Sequence, residues 1–108
     1  MLETKIYIGL NDADTMKQER STNTFVDELK QVCIDAGIPF SFAIQQGGYI
    51  HEDGRYTQEL TLVLSLIDVE RKKANAVAKE LCERFNQESV LITEDYVRAY
   101  FVSDDEDD

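Results

Sequence analysis

Alternating apolar and polar residues predict a long β-hairpin in the middle of the chain, over residues 40–68. Each arm carries a row of large apolar side chains on one face of a strand. The rows are Phe40, Phe42 and Ile44 on the first arm and Leu60, Leu62, Leu64 and Leu66 on the second. Between the arms lies Asp53-Gly54, a pair typical of tight turns in which both central residues have positive φ. Gly47-Gly48 predicts a bulge or a close backbone approach in the first arm.

Two segments show the three-to-four-residue spacing of an amphipathic helix. The first is predicted to begin with Thr24 as its N-cap and to end at Gly37. The second is predicted to begin with Asp68 as its N-cap and to run through residues 70–85. The apolar stripes are Phe25, Leu29, Val32, Cys33 and Ala36 on the first helix, and Ala74, Val77, Ala78, Leu81, Cys82 and Phe85 on the second.

Strands are predicted at both ends of the chain. The first is Lys5–Leu10, and the last runs over residues 89–92 and 96–102 with a bend at Glu94-Asp95. The order strand, helix, strand, strand, helix, strand predicts an α+β, ferredoxin-like βαββαβ fold, with a four-stranded antiparallel sheet and two helices on one face. Strands 1 and 3 should be central. The open sheet face, expected to carry Tyr7, Val63 and Ile67, is a common place for such folds to dimerise or bind.

The loop at residues 11–23 is polar and unusually long for a compact domain, which is typical either of a functional loop or of a solvated connection. The chain has 108 residues, which fits one domain at 1–103 followed by a disordered acidic tail at 104–108.

The net charge of the chain favours some classes of binding partner and disfavours others. Asp and Glu number 22 against 11 Lys and Arg, for a net charge of −11, and the five acidic residues at the end leave −6 for residues 1–103. This charge disfavours direct nucleic-acid binding and anionic membranes, and it favours basic partners. No apolar run is long enough to span a bilayer and no signal peptide is evident, so we expect a cytoplasmic protein, in the host cytoplasm if phage-encoded. Cys33 and Cys82 fit that compartment as free thiols.

Catalytic, metal and cofactor sites are not predicted. His51 lies beside Glu52 and near Glu59, but neighbouring strand residues point to opposite faces, so converging metal ligands are not expected. No nucleophile-and-base pair or phosphate-binding glycine loop is evident. Glu59 and Glu88 are conceivable acid–base groups, yet exposed or ion-paired carboxylates explain them more simply. An enzyme is therefore left open but not favoured.

Three segments together carry a resemblance to known proteins. They are Tyr7-Ile8-Gly9-Leu10, the hairpin GGYIHEDGRYTQELTLVL at residues 47–64, and ERFNQESVLI at residues 83–92. In this order they resemble a small bacterial and phage family of uncharacterised ferredoxin-like domains. The resemblance implies the fold and a microbial or phage origin, and it implies no activity.

Two hypotheses for function follow. The first is a non-enzymatic interaction protein, a phage-encoded inhibitor of the anti-CRISPR or anti-restriction type that mimics nucleic acid and occupies the basic nucleic-acid-binding surface of a defence nuclease. Its predicted contacts are Glu52, Asp53, Glu59, Glu94 and Asp95. The alternative is a homodimer or larger homo-oligomer that binds a small ligand through the open sheet face, near Tyr7, Tyr49 and Glu59.

Overall fold

The computed structural model describes residues 1–105 and confirms the ferredoxin-like α+β fold. Its elements are β1 (Leu2–Gly9), α1 (Thr22–Ala36), β2 (Ser41–Ile50), β3 (Tyr56–Ile67), α2 (Arg71–Arg84) and β4 (Leu91–Tyr96). The strands form one antiparallel sheet in the order β2-β3-β1-β4, so strands 1 and 3 are central as predicted. The predicted tail at 104–108 extends beyond the described residues. No helix within residues 1–105 has the length and apolar character needed to cross a membrane.

The strand register separates a helix-covered face from an open face. Ile6 lies opposite Leu64 on the covered face, and Tyr7 lies opposite Val63 on the open face. Both helices pack on the covered face, where the sheet residues that meet them are fully buried: Ile6, Ile8, Leu62, Leu64 and Leu66. Cys33 is buried in this core as a free thiol, and burial raises its pKa to about 11.

The helix starts differ from the sequence prediction. The N-cap of α1 is Ser21 and not Thr24, because the extended Ser21 comes first and its Oγ accepts the Thr24 N–H at 3.2 Å. The end of α1 is as predicted, with Gly37 left-handed at φ 66°. Asp68 does not cap α2: its φ is 58°, and the N-cap is Glu70, which makes no side-chain cap hydrogen bond.

The last strand also differs. The sequence predicted two pieces, 89–92 and 96–102, with a bend at Glu94-Asp95. The structure has one strand there, and Glu94 and Asp95 pair within it with Thr4 and Glu3 of β1. Pairing ends soon after Tyr96 because β1, its only partner in the described sheet, begins at Leu2.

The hairpin has the predicted arms but a different turn. Three residues, 52–54, connect the arms, since the His51 N–H donates to Arg55 O at 2.8 Å and only Gly54 has positive φ, 87°. The prediction of a two-residue turn at Asp53-Gly54 is therefore wrong. The predicted bulge is wrong too, because the register with β3 runs unbroken through Gly47 and Gly48. The group that lies close to Gly48 is a side chain and not backbone, since the Tyr56 ring lies where a Cβ on Gly48 would be.

Arg20 links the long loop to both helices. Its guanidinium is 2.6 Å from Glu28 Oε2, donates to Arg84 O at 2.7 Å, and stacks 4.4 Å from the centroid of the Phe25 ring. We expect Arg20→Ala to lower the free energy of unfolding by about 1–2 kcal/mol, since it removes a stacked and hydrogen-bonded cation together. Urea denaturation measures this change. Arg55→Ala is the matched control.

The control breaks an ion pair in which both side chains are largely exposed, Arg55 with Asp53 at 2.7 Å. Such pairs are worth about 0–1 kcal/mol, so its effect should be the smaller of the two. Equal effects from the two substitutions would contradict the structural role given to Arg20.

Candidate functional site

A cavity of about 300 Å³ lies at the end of the sheet where β1 stops. Three segments line it: the loop after β1, the β2–β3 hairpin, and the turn between α2 and β4. From the hairpin come Tyr49 and Glu59, and from the turn come residues 87–89. The cavity thus gathers side chains from the beginning, middle and end of the chain.

The Glu59 carboxylate packs directly on Gly9 of β1. It lies on the open face of β3, half-buried, and its Oε2 accepts the Asn11 N–H at 3.0 Å. A Cβ on Gly9 would lie 2.6 Å from Oε2 and 2.7 Å from Cδ of this carboxylate. Only glycine at position 9 therefore leaves room for the Glu59 carboxylate in its observed place.

Tyr49 supplies an aromatic surface close to this carboxylate. It lies on the open face of β2, opposite Thr57, with 38% of its surface exposed. Its ring meets the His51 ring edge-on at 4.9 Å, and His51 Nε2 is 2.7 Å from Thr57 Oγ1. These contacts fix the tyrosine while leaving part of its ring open to a ligand.

The turn after α2 holds the loop after β1 in place. Asn86 is left-handed, with φ 49°, and its side-chain amide donates to Asp12 Oδ2 at 3.0 Å and to Asp14 Oδ2 at 2.9 Å. The Ala13 N–H donates to Asn86 O at 3.0 Å. Gln87 Nε2 donates to Asn11 O at 2.6 Å. Four hydrogen bonds thus join two segments more than 70 residues apart in sequence.

The cavity wall is acidic. Asp12, Glu59 and Glu88 line it, and its described lining residues include no Lys or Arg. The hydrogen bond from Asn86, followed by that from the Asp14 N–H, lowers the pKa of Asp12, so this carboxylate is charged at neutral pH. A wall of this kind, with one aromatic ring, suits a small cationic ligand that also has a flat ring.

The structure brings only part of the predicted site residues together. Tyr49 and Glu59 share the cavity, whereas Tyr7 lies on the same sheet face two residues before Gly9 and does not line it. The predicted acidic contacts are dispersed. Glu52 and Asp53 lie at the hairpin tip, and Glu94 and Asp95 lie at the other end of the sheet, on β4.

Some of these carboxylates are already paired within the chain. Asp53 is 2.7 Å from Arg55 Nε, and Glu94 is 2.7 Å from Arg71 Nε. Among the described residues, no group of three or more His, Cys, Asp or Glu is arranged to hold a metal ion.

Sequence reasoning missed Gly9, Asn11 and Asp12 as parts of the site. Two signals pointed to the region. The loop at 11–23 is long and polar, and Asn86-Gln87 places two amide side chains where a helix ends. Neither signal identifies the other as its partner.

Comparisons with known proteins give a similarity over most of the chain. No protein-family model matches, and the search of curated proteins found no match. Among solved structures, a phage SAM lyase in complex with S-methyl-5'-thioadenosine is 27% identical, with a TM-score of 0.66, over 87% of this chain and 79% of the lyase. A phage SAM lyase in the apo state is 26% identical, with a TM-score of 0.67, over 87% of this chain and 78% of that lyase.

Two more distant structures share the fold alone. A DUF3240 family protein from Shewanella baltica is 8% identical, with a TM-score of 0.55, over 94% of this chain and 97% of its own. The divalent cation tolerance protein CutA from Archaeoglobus fulgidus is 9% identical, with a TM-score of 0.52, over 92% and 87%. The chain is thus similar in sequence and fold to a phage SAM lyase, and in fold to a wider ferredoxin-like set.

Proposed function

We propose that this chain binds S-adenosylmethionine (SAM) in the cavity at Glu59 and cleaves it to S-methyl-5'-thioadenosine (MTA). The observation that carries the proposal is the cavity itself, which offers three carboxylates, one partly open tyrosine ring and no basic residue among its described lining. SAM is a cation at its sulfur, carries an α-ammonium group and ends in a flat adenine. The 27% identity to a SAM lyase that holds MTA supports the same assignment.

The chemistry of these two molecules defines the bond that breaks. MTA keeps the methyl and adenosyl groups of SAM, so cleavage separates sulfur from Cγ of the amino acid part. The carboxylate of SAM itself attacks Cγ and closes a five-membered lactone, while the electron pair of the Cγ–S bond passes to sulfur. The positive charge on sulfur and the negative charge on the carboxylate disappear together. No proton, metal or cofactor is required, and the rate gain comes from holding the reacting atoms in line.

The charge changes during this reaction indicate which group of SAM lies against Glu59. A carboxylate facing the sulfonium would stabilise the substrate more than the transition state, in which that charge is fading. The α-ammonium group keeps its charge throughout. We therefore place the ammonium group against Glu59, where it orients the neighbouring carboxylate towards Cγ, and we place adenine on the Tyr49 ring.

The direct test is turnover of SAM by the purified protein. MTA and homoserine lactone are quantified by liquid chromatography and mass spectrometry, against the spontaneous breakdown of SAM in buffer without protein. We expect both products in equal amounts, at a rate proportional to protein concentration. S-adenosylhomocysteine, which has the same amino acid part on a neutral sulfur, should not be cleaved. Formation of MTA at the spontaneous rate alone would refute the proposal.

We also propose that copies of this chain assemble into a homo-oligomer through the open sheet face. That face and its rim expose apolar side chains, with Leu91 61% and Ile67 39% exposed, and a cavity of about 300 Å³ lies at the lower limit of small-molecule sites, roughly 300–1,000 Å³. A second copy packed on this face would deepen the cavity. Size-exclusion chromatography with light scattering distinguishes this homo-oligomer from a monomer.

Occupation of a basic surface on a defence nuclease is the second candidate, and the net charge of −11 favours it. This candidate is the weaker of the two, because a mimic of nucleic acid needs dense negative charge on one surface. Glu52 and Asp53 at the hairpin tip lie far from Glu94 and Asp95 on β4. Salt-sensitive capture of a basic nucleic-acid-binding protein, abolished by neutralising these residues, would support it over the lyase.

A further inference from the structure

The peptide of Asn11 connects the Glu59 carboxylate to the turn after α2. On one side its N–H donates to Glu59 Oε2 at 3.0 Å. On the other side the carbonyl of Asn11 accepts the Gln87 side-chain amide at 2.6 Å. The carboxylate that the proposed function places against the substrate is thus positioned through a backbone segment that Gln87 holds.

We propose that Gln87 is a positioning residue, which keeps the Glu59 carboxylate in its active place by clamping Asn11. This inference rests on the proposed function and adds a component of the site that makes no contact with the reacting atoms. Gln87 lies next to Glu88 and Ser89 in the cavity wall, so a direct contact with the ligand is the competing role.

The hydrogen bonds of the Gln87 side chain favour the positioning role. Its Nε2 donates to Asn11 O at 2.6 Å and to Phe85 O at 3.3 Å. An amide has two N–H donors, and both are directed at backbone carbonyls of the protein. The donor end of Gln87 is therefore already engaged in the chain.

The backbone that carries this side chain is fixed as well. The Gln87 N–H donates to Cys82 O at 3.0 Å, and Cys82 Sγ–H donates to Gln87 O at 3.2 Å. The residue before it, Asn86, anchors the same loop through Asp12 and Asp14. A clamp on a rigid base holds geometry well, and displacement of a catalytic group by about 1 Å costs on the order of 100-fold in rate.

Three variants separate the two roles. Gln87→Met keeps the size of the side chain and removes the amide donor. Gln87→Glu keeps an oxygen that could contact a ligand and also removes the donor. Gln31→Met is the matched control, because Gln31 makes an amide-to-carboxylate bond with Asp35 at 2.8 Å on the exposed face of α1.

The first readout compares a charged ligand with a neutral one. Because Glu59 is assigned to the ammonium group of SAM, and MTA has none, loss of the clamp should lower kcat/KM for SAM by about 10–50-fold in both Gln87 variants. The Kd of MTA should stay within about twofold of wild type, because MTA binds in the cavity but forms no ion pair with Glu59. Gln31→Met should match wild type in both. In the double variant with Glu59→Gln, Gln87→Met should add little to the loss.

The second readout does not depend on activity. Hydrogen exchange of the Asn11 amide, followed by NMR, should become at least about 10-fold faster in Gln87→Met and should not change in Gln31→Met. This readout separates the two claims: absence of SAM cleavage by the wild type refutes the proposed function, whereas unchanged Asn11 exchange in Gln87→Met refutes the clamp.

Three results would overturn the positioning role. They are equal losses for SAM and MTA in Gln87→Met, multiplicative losses in the double variant, and full activity in Gln87→Glu. The first two would make Gln87 a ligand contact, and the third would show that its donor is dispensable.

Discussion

Replacing Glu59 by glutamine should lower kcat/KM for SAM by about 100-fold, equivalent to about 2.7 kcal/mol of transition-state stabilisation. The substitution keeps the size of the side chain and its contact with Gly9, but removes the negative charge that we place against the substrate ammonium group. The initial rate of MTA formation at several SAM concentrations measures the effect. The Kd of MTA should change little, because MTA lacks the ammonium group.

Glu52→Gln is the control for this substitution. It removes the same charge from the exposed hairpin tip, outside the cavity lining. We expect its kcat/KM to stay within about twofold of wild type, as for surface substitutions away from a site. Similar losses in both variants would mean that the overall negative charge, and not the Glu59 carboxylate, governs turnover.

Introducing a methyl group at Gly9 should have a comparable effect on turnover. The Cβ of Gly9→Ala would lie 2.6 Å from Glu59 Oε2, so the carboxylate has to leave its place. We expect a loss of about 50–100-fold in kcat/KM, in line with the cost of displacing a positioned group by about 1 Å. The fold should persist, since Gly9 is not among the positive-φ glycines and alanine tolerates its strand backbone.

Gly47→Ala is the matched glycine control. Gly47 lies on β2 opposite Glu59, and a Cβ at this position would have the Glu59 backbone O as its nearest neighbour, at 4.0 Å, an ordinary contact. Its turnover should remain near that of wild type. If Gly9→Ala retains full activity while circular dichroism shows the same fold, the placement of the Glu59 carboxylate has no role in the reaction.

Much of the fold follows from local sequence patterns. The alternation from Phe40 to Ile67 predicts both arms of the hairpin, and the placement of Gly37 and Pro39 predicts the end of α1. The errors lie at ends and turns, where several residues compete for one role. Ser21 precedes Thr24 as the N-cap, and Asp68 takes a left-handed conformation that excludes it from capping α2.

The site is predictable only where it is local. Tyr49 and Glu59 belong to one hairpin, so the alternation of strand residues places both on the open face. The contacts of Asn11 with Gln87 and of Asp12 with Asn86 span 76 and 74 positions. Nothing in the local pattern pairs these segments, because the sheet brings them together only after β1 and β4 have paired. The close packing of Glu59 on Gly9 is likewise a tertiary contact.

The acidity of the chain has a second interpretation. The net charge of −11 suggested a basic macromolecular partner, yet the same field attracts a small cation such as SAM to an acidic cavity. The two interpretations differ in salt dependence. Capture of a basic protein by exposed carboxylates is weakened by moderate salt, whereas a half-buried carboxylate such as Glu59 is screened less.

A crystal structure of the protein with MTA is the sharpest test of the claim that the cavity at Glu59 is a SAM lyase site. We expect MTA in this cavity, with adenine against the Tyr49 ring and the sulfur on the side of the Glu59 carboxylate. MTA bound elsewhere on the chain, or a cavity that stays empty at MTA concentrations far above the measured Kd, would contradict the claim.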